Sequence, residues 1–150
     1  PQGTKQFVHY HCADMKKLPL PDNSADVVTV GKFFYLIPKD EYDNYMADVK
    51  RVLKNDGLLI CEISNALHLF NPVTFLKTFF RRNFLGKKIM SYAYPWELSK
   101  LFIRFKLERI TGIEFPFFLV NKMTGLNTMN RLPILRSFGG SFVVVYRLAK

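Results

Sequence analysis

Apolar positions in the first part of the chain recur with two different periods. Gln6 to Cys12 mixes polar and apolar residues in an extended pattern. It runs into Lys16-Lys17-Leu18-Pro19-Leu20-Pro21-Asp22-Asn23-Ser24, whose two prolines exclude a helix, so a strand and then a loop are predicted. Asp26-Val27-Val28-Thr29-Val30 is a short β-branched run of the kind found in parallel strands buried on both faces. From Asp40 to Leu53 the period changes: Tyr42, Tyr45, Met46, Val49, Val52 and Leu53 fall at helical spacing. Acids lead the first turn and Lys50, Arg51 and Lys54 close the last, as the helix dipole favours. Asn55-Asp56-Gly57 is expected to stop this helix, and Leu58 to Ile63 reads as the next strand.

The resulting order, β-loop-β-α-β, is that of a parallel sheet wound by helices, with Val27–Val30 and Leu58–Ile63 as parallel neighbours. Later the pattern is less regular. Residues 66–94 hold many aromatics among basic residues and read as an insertion or lid on a single domain spanning 1–150. A helix is expected from Pro95 to Phe105, with proline in its first turn. Leu107–Phe115 and Ser141–Leu148 are expected to close the sheet as an antiparallel pair, joined by a long connection through residues 116–140. No internal repeat or low-complexity segment interrupts this order.

Composition narrows the class. With 150 residues, 49% of them hydrophobic and 15% aromatic, the chain can bury one core. It has no apolar run of the roughly 20 residues that a membrane span needs, and no signal-peptide pattern, so a cytoplasmic location is expected. Cys12 and Cys61, far apart among apolar neighbours, read as buried free thiols. The net charge of +10 is unevenly spread: nine of the twelve acids lie in residues 1–62, so nearly all of the excess positive charge lies in residues 63–150. A basic half of this kind suits an anionic partner such as a membrane surface, a nucleic acid or an acidic substrate.

The ordered run HCADMKKLPLPDNSADVVTVGKFFYLIPKDEYDNYMADVKRVLKNDGLLICEIS resembles the second half of the class I, Rossmann-like S-adenosylmethionine-dependent methyltransferases. The shared features are an acidic residue, an LP-containing loop, an Asp-led strand, a helix ending in RVLK, a glycine turn and a further strand. The ending FGGSFVVVYRLAK resembles the last strand of the same fold. The resemblance implies an α/β fold: a mainly parallel sheet with helices on both faces and an antiparallel last strand. It also implies S-adenosylmethionine as cofactor. The family's glycine-rich turn is not found among the eight glycines, so the expectation is the C-terminal part of a longer methyltransferase, the N-terminal part of the fold being absent. An incomplete sheet would leave an edge uncovered and favour a homodimer.

The stretch His9-Tyr10-His11-Cys12-Ala13-Asp14 presents two histidines two positions apart, on one face of a strand. With no further ligand near in sequence, no metal site is expected. The resemblance assigns the weight to Asp14 instead. Its carboxylate would accept the adenine amine, and the amide of Met15 would reach a ring nitrogen. Gly31, Lys32 and Tyr35, after the second strand, fall at the carboxyl edge where such sheets bind ligands, and Gly31 would let a cofactor approach the backbone. Tyr35 stands where the family often has histidine, which leaves no obvious general base. Asp26 is expected to be structural. Between Asn71 and Phe84, Val73, Leu76, Phe79, Phe80 and Phe84 share one side of a helical wheel and basic residues the other. That fits a lid, an interfacial helix or an RNA contact, with a lipid-like acceptor preferred. Two functions are thus carried forward: methyl transfer to a small or lipid-like acceptor, and a non-catalytic module docking a membrane or nucleic acid through the basic half.

Overall fold

The computed structural model describes residues 8–67, 91–113 and 139–149, together with Leu76 and Phe80. Four strands form one mixed sheet: β1 (Ala25–Val30), β2 (Leu53–Ser64), β3 (Phe105–Ile113) and β4 (Ser141–Leu148), in the spatial order β1-β2-β4-β3. β1 and β2 are parallel, with Val27 opposite Leu58 and Val30 opposite Cys61. They are linked through α1 (Tyr42–Val52), since parallel neighbours need a crossover rather than a hairpin. β4 runs antiparallel to both β2 and β3. The expected parallel neighbours and the closing antiparallel pair are therefore both present.

α1 turns Tyr42, Met46, Val49 and Val52 into the core, a spacing of three and four residues that keeps them on one stripe. Tyr42, Met46 and Val49 form one cluster with Leu59, Cys61 and Ile63 of β2 and Phe142, Val144 and Tyr146 of β4, the alternate residues of each strand. Aromatic rings fill the centre: Phe34 lies 4.9 Å from Tyr42 and 5.0 Å from Phe102, and Phe102 meets Tyr146 edge-on at 5.2 Å.

Several expectations are corrected. Residues 8–12 form no strand and are exposed; a strand exists by its ladder, and among the described residues no neighbour pairs with them. Cys12 is accordingly exposed, and only Cys61 is buried. β1 is covered on one face rather than two: Val28 and Val30 border the core while Val27 is 48% exposed. Pro95–Phe105 is not an α-helix. It is a turn, a short 3-10 segment (Leu98–Lys100) and a reversal at Arg104, whose φ of 67° is incompatible with helix, and Phe105 opens β3.

The turn after α1 also differs from expectation. Leu53 is already extended, and Ala25 pairs with Leu53 but Val27 with Leu58, so residues 54–57 bulge out of the ladder. The left-handed residue there is Asp56, with φ 62°. Gly57 serves close approach: a Cβ would lie 2.8 Å from the Lys54 carbonyl oxygen and 3.0 Å from Leu53 Cδ2. The segment 66–94, apart from Ala66, Leu67, Leu76, Phe80 and residues 91–94, lies outside the described residues, as does most of the connection 116–140. Leu76 and Phe80, one turn apart, are helical and about half exposed.

Candidate functional site

Open α/β sheets bind ligands beyond the carboxyl ends of their strands, where backbone groups run out of ladder partners. Here β1 and β2 end at Val30 and Ser64. After Val30 come Gly31, around whose α-carbon a side chain would meet nothing within 4 Å, and Lys32, exposed and left-handed with φ 46°. The chain then tightens into a 3-10 turn, Phe34–Leu36, in which Phe34 is buried and Tyr35 half-buried. Tyr42 secures that turn, its hydroxyl donating to the Phe34 carbonyl at 2.8 Å. Burial pushes the Tyr42 phenol up to about 12, so it stays protonated and serves as a strut rather than a base.

After Ser64, Asn65 is fully buried and ties three segments together. Its amide nitrogen donates to the Gly139 carbonyl at 2.6 Å, and its backbone N–H to Gly140 at 3.0 Å. It also forms a parallel bridge with Ala93. Gly139 is required there, because a Cβ would sit 2.6 Å from the Ile113 carbonyl oxygen. Ser91 extends the tie to the other strand end: its N–H donates to the Tyr35 carbonyl at 3.0 Å and its hydroxyl to the Ile37 carbonyl at 2.5 Å. Neither Asn65 nor Ser91 is singled out by its sequence neighbourhood; an asparagine directly after a buried strand is the one available signal.

Asp14 and Met15 sit in a turn before β1. The Lys16 N–H donates to Asp14 Oδ1 at 2.9 Å, and the Lys17 N–H to the Asp14 carbonyl at 2.9 Å. Between them, the Met15 N–H has no hydrogen-bond partner among the described residues. The Asp14 carboxylate is exposed, while the Met15 side chain packs at the rim of the core that Val30 and Phe33 also border. Val30 and Phe33 flank Gly31 and Lys32 in sequence, so both turns border the same core.

The turn is held by a residue that sequence reading took only for a helix-end cation. Arg51 bonds the Leu18 and Leu20 carbonyls and Asp22 of the loop, as well as Asp48 on its own helix. Asp48 in turn accepts the Leu18 N–H at 2.5 Å. Asp26 pairs with Lys54 at 2.8 Å at the surface, in keeping with the structural role expected of it. Among the described residues no group of three or more metal-ligating side chains occurs. No helix among them is long and apolar enough to cross a membrane.

Residues 1–61 match the methyltransferase domain family. No curated protein matches the chain. Among solved structures, an S-adenosylmethionine-dependent methyltransferase from Methanosarcina mazei aligns with a TM-score of 0.64 at 14% identity, over 99% of this chain and 70% of its own. One from Mesorhizobium loti aligns with a TM-score of 0.59 at 13% identity, over 97% of this chain and 71% of its own. This is a class I, Rossmann-like methyltransferase fold. A third match comes from the Haloferax volcanii complex between the Trm112 methyltransferase activator and a methyltransferase candidate, with a TM-score of 0.57 at 17% identity. The chain spans 60% of the length of that relative. The strand order β1-β2-β4-β3, with β4 antiparallel to both of its neighbours, makes up the described part of that fold's sheet.

Proposed function

We propose that this chain is the C-terminal part of an S-adenosylmethionine-dependent methyltransferase and supplies the adenine end of the cofactor site. The observation that carries the reading is the Asp14–Met15 turn, where an exposed carboxylate stands beside a backbone N–H that no described residue accepts. An adenine edge offers the complement, an amine that donates next to a ring nitrogen that accepts. One Asp14 oxygen is used by Lys16, which fixes the carboxylate's orientation, and a carboxylate has lone pairs enough for a second donor. The open space above Gly31 supports the same reading, since it leaves room for a ligand against the backbone at the end of β1.

When bound, S-adenosylmethionine supplies an electrophilic sulfonium methyl group. The chain's own residues contribute position. Asp14 and Met15 orient the adenine, Gly31 and Lys32 shape the strand end, and the half-buried Tyr35 is assigned the orienting of acceptor or methyl donor. No described residue here is a base poised to take a proton, and proximity and alignment supply most of what a methyl transfer requires. The acceptor proposed is a small or lipid-like molecule.

The test is transfer of isotopically labelled methyl from S-adenosylmethionine, using the protein with the upstream segment that this reading requires. That segment should hold a strand followed by a glycine-rich turn. An upstream sequence without such a turn, together with no labelled product from any acceptor pool, would overturn the reading.

A further inference from the structure

Away from the Asp14–Met15 turn, the 3-10 turn that precedes α1 (Lys39–Glu41) faces residues 96–101 across an open cleft of about 520 Å³, lined by Lys39, Asp40, Trp96, Glu97, Lys100 and Leu101. One side is fixed. Glu97 accepts the Tyr94 N–H at 2.9 Å and Lys39 Nζ at 2.7 Å, while its own N–H donates to the Tyr94 carbonyl at 3.0 Å. This closes a turn around Pro95 and lays the Tyr94 and Trp96 rings in a parallel stack, 4.6 Å between centroids and 10° between planes. Trp96 is nonetheless 66% exposed. A stacked indole with one face open is a platform already ordered before a ligand arrives, so little entropy is lost on binding.

The charges around this platform divide in two. Lys39 and Glu97 neutralise each other. Asp40 and Lys100, both exposed, line the same cleft without an ion pair to each other or to any other described residue. Among the described residues this leaves one carboxylate and one ammonium without an ion pair beside an exposed indole.

We propose that this cleft binds an aromatic zwitterion of the amino-acid class, its ring on Trp96, its ammonium at Asp40 and its carboxylate at Lys100. A ligand bearing one charge would leave either Asp40 or Lys100 unanswered, and one without a ring would leave Trp96 uncovered. The cleft begins two residues after Ile37, whose carbonyl accepts the Ser91 hydroxyl. Its role as the acceptor's anchoring site rests on the methyltransferase reading; the binding itself does not.

Trp96 is the chain's only tryptophan, so its fluorescence reports on this cleft alone. The test is a titration without cofactor, using four probes: L-phenylalanine, phenethylamine, 3-phenylpropanoate and L-alanine. L-phenylalanine should give a saturable change, the two singly charged analogues should bind roughly threefold to tenfold more weakly, and alanine should give none. In Lys100→Ala the preference over phenethylamine should vanish, and in Asp40→Asn the preference over 3-phenylpropanoate. Both positions are exposed, so these variants keep the fold. No saturable change with L-phenylalanine, or preferences that survive both substitutions, would overturn the proposal. Because no methyl donor is present, failure here is distinct from failure of the cofactor site.

Discussion

Arg51 grips Asp48 one turn away with two hydrogen bonds, Nε to Oδ1 at 2.6 Å and Nη2 to Oδ2 at 3.0 Å. With the same guanidinium it also holds the loop leading to β1 at Leu18, Leu20 and Asp22. A planar fork with five donors can serve so many acceptors at once; an ammonium cannot. Arg51→Lys should therefore behave much like Arg51→Ala: protease cleavage within residues 16–24 should accelerate in both variants while the sheet persists. Equal cleavage rates in wild type and Arg51→Ala would show that the clamp does not hold the loop.

The same pair sets a pH dependence. Hydrogen bonds from Arg51, and then from the Leu18 N–H, hold the Asp48 carboxyl down at about 2, against an ordinary value of 3.8. A group whose folded pKa is depressed contributes stability that is complete above its unfolded value and is lost as pH falls through its folded value. The contribution of Asp48 should thus be full above roughly pH 4 and disappear toward pH 2. Unfolding midpoints measured over that window should fall less steeply in Asp48→Asn than in wild type.

Tyr146 reaches across the core to donate its hydroxyl to the Leu98 carbonyl at 2.7 Å, both residues being fully buried. Desolvation pushes its phenol well above the ordinary range, so it remains a donor at any working pH. Tyr146→Phe keeps the ring contacts with Phe102 and Phe105 but removes the shorter of the two hydrogen bonds to the Leu98 carbonyl, the Leu101 N–H remaining at 3.5 Å, at a cost of about 0.5–1.5 kcal/mol. Denaturant unfolding should show this as a lower midpoint with an unchanged slope.

The two thiols should separate kinetically. Cys12 is exposed, whereas Cys61 lies in the core, where burial pushes its thiol far up and suppresses the reactive thiolate. An aromatic disulfide reagent should titrate one thiol rapidly in the native protein and the second only on unfolding. Rapid reaction of both would contradict the packing of β2 against α1.

Much of the sheet is legible in the sequence because its signals are local. The β-branched run at Asp26–Val30, the stripe from Tyr42 to Val52 and the apolar run from Leu58 to Ile63 each report their own element type, although β1 is covered on one face and not on the two that its run suggests. Residues 8–12 mislead because an extended pattern does not say whether a partner strand exists. Pro95 misleads because proline opens turns as readily as helices, and Glu97 closes this one through Lys39, 58 positions away. The turn proposed to hold adenine is visible only through the resemblance carried by Asp14 and the LP loop. Arg51, Asn65 and Ser91 are not, since each acts by joining segments that the sequence keeps apart.

The central claim is that Asp14 and the Met15 amide receive the adenine, and it is tested most directly by calorimetric titration of S-adenosylhomocysteine into the protein carrying its upstream segment. Asp14→Ala should weaken binding roughly tenfold to hundredfold, the loss expected for a hydrogen bond to a charged group. His9→Ala should leave affinity unchanged, because residues 8–12 are exposed and make no ladder. Affinity in Asp14→Ala equal to that of wild type would contradict the account.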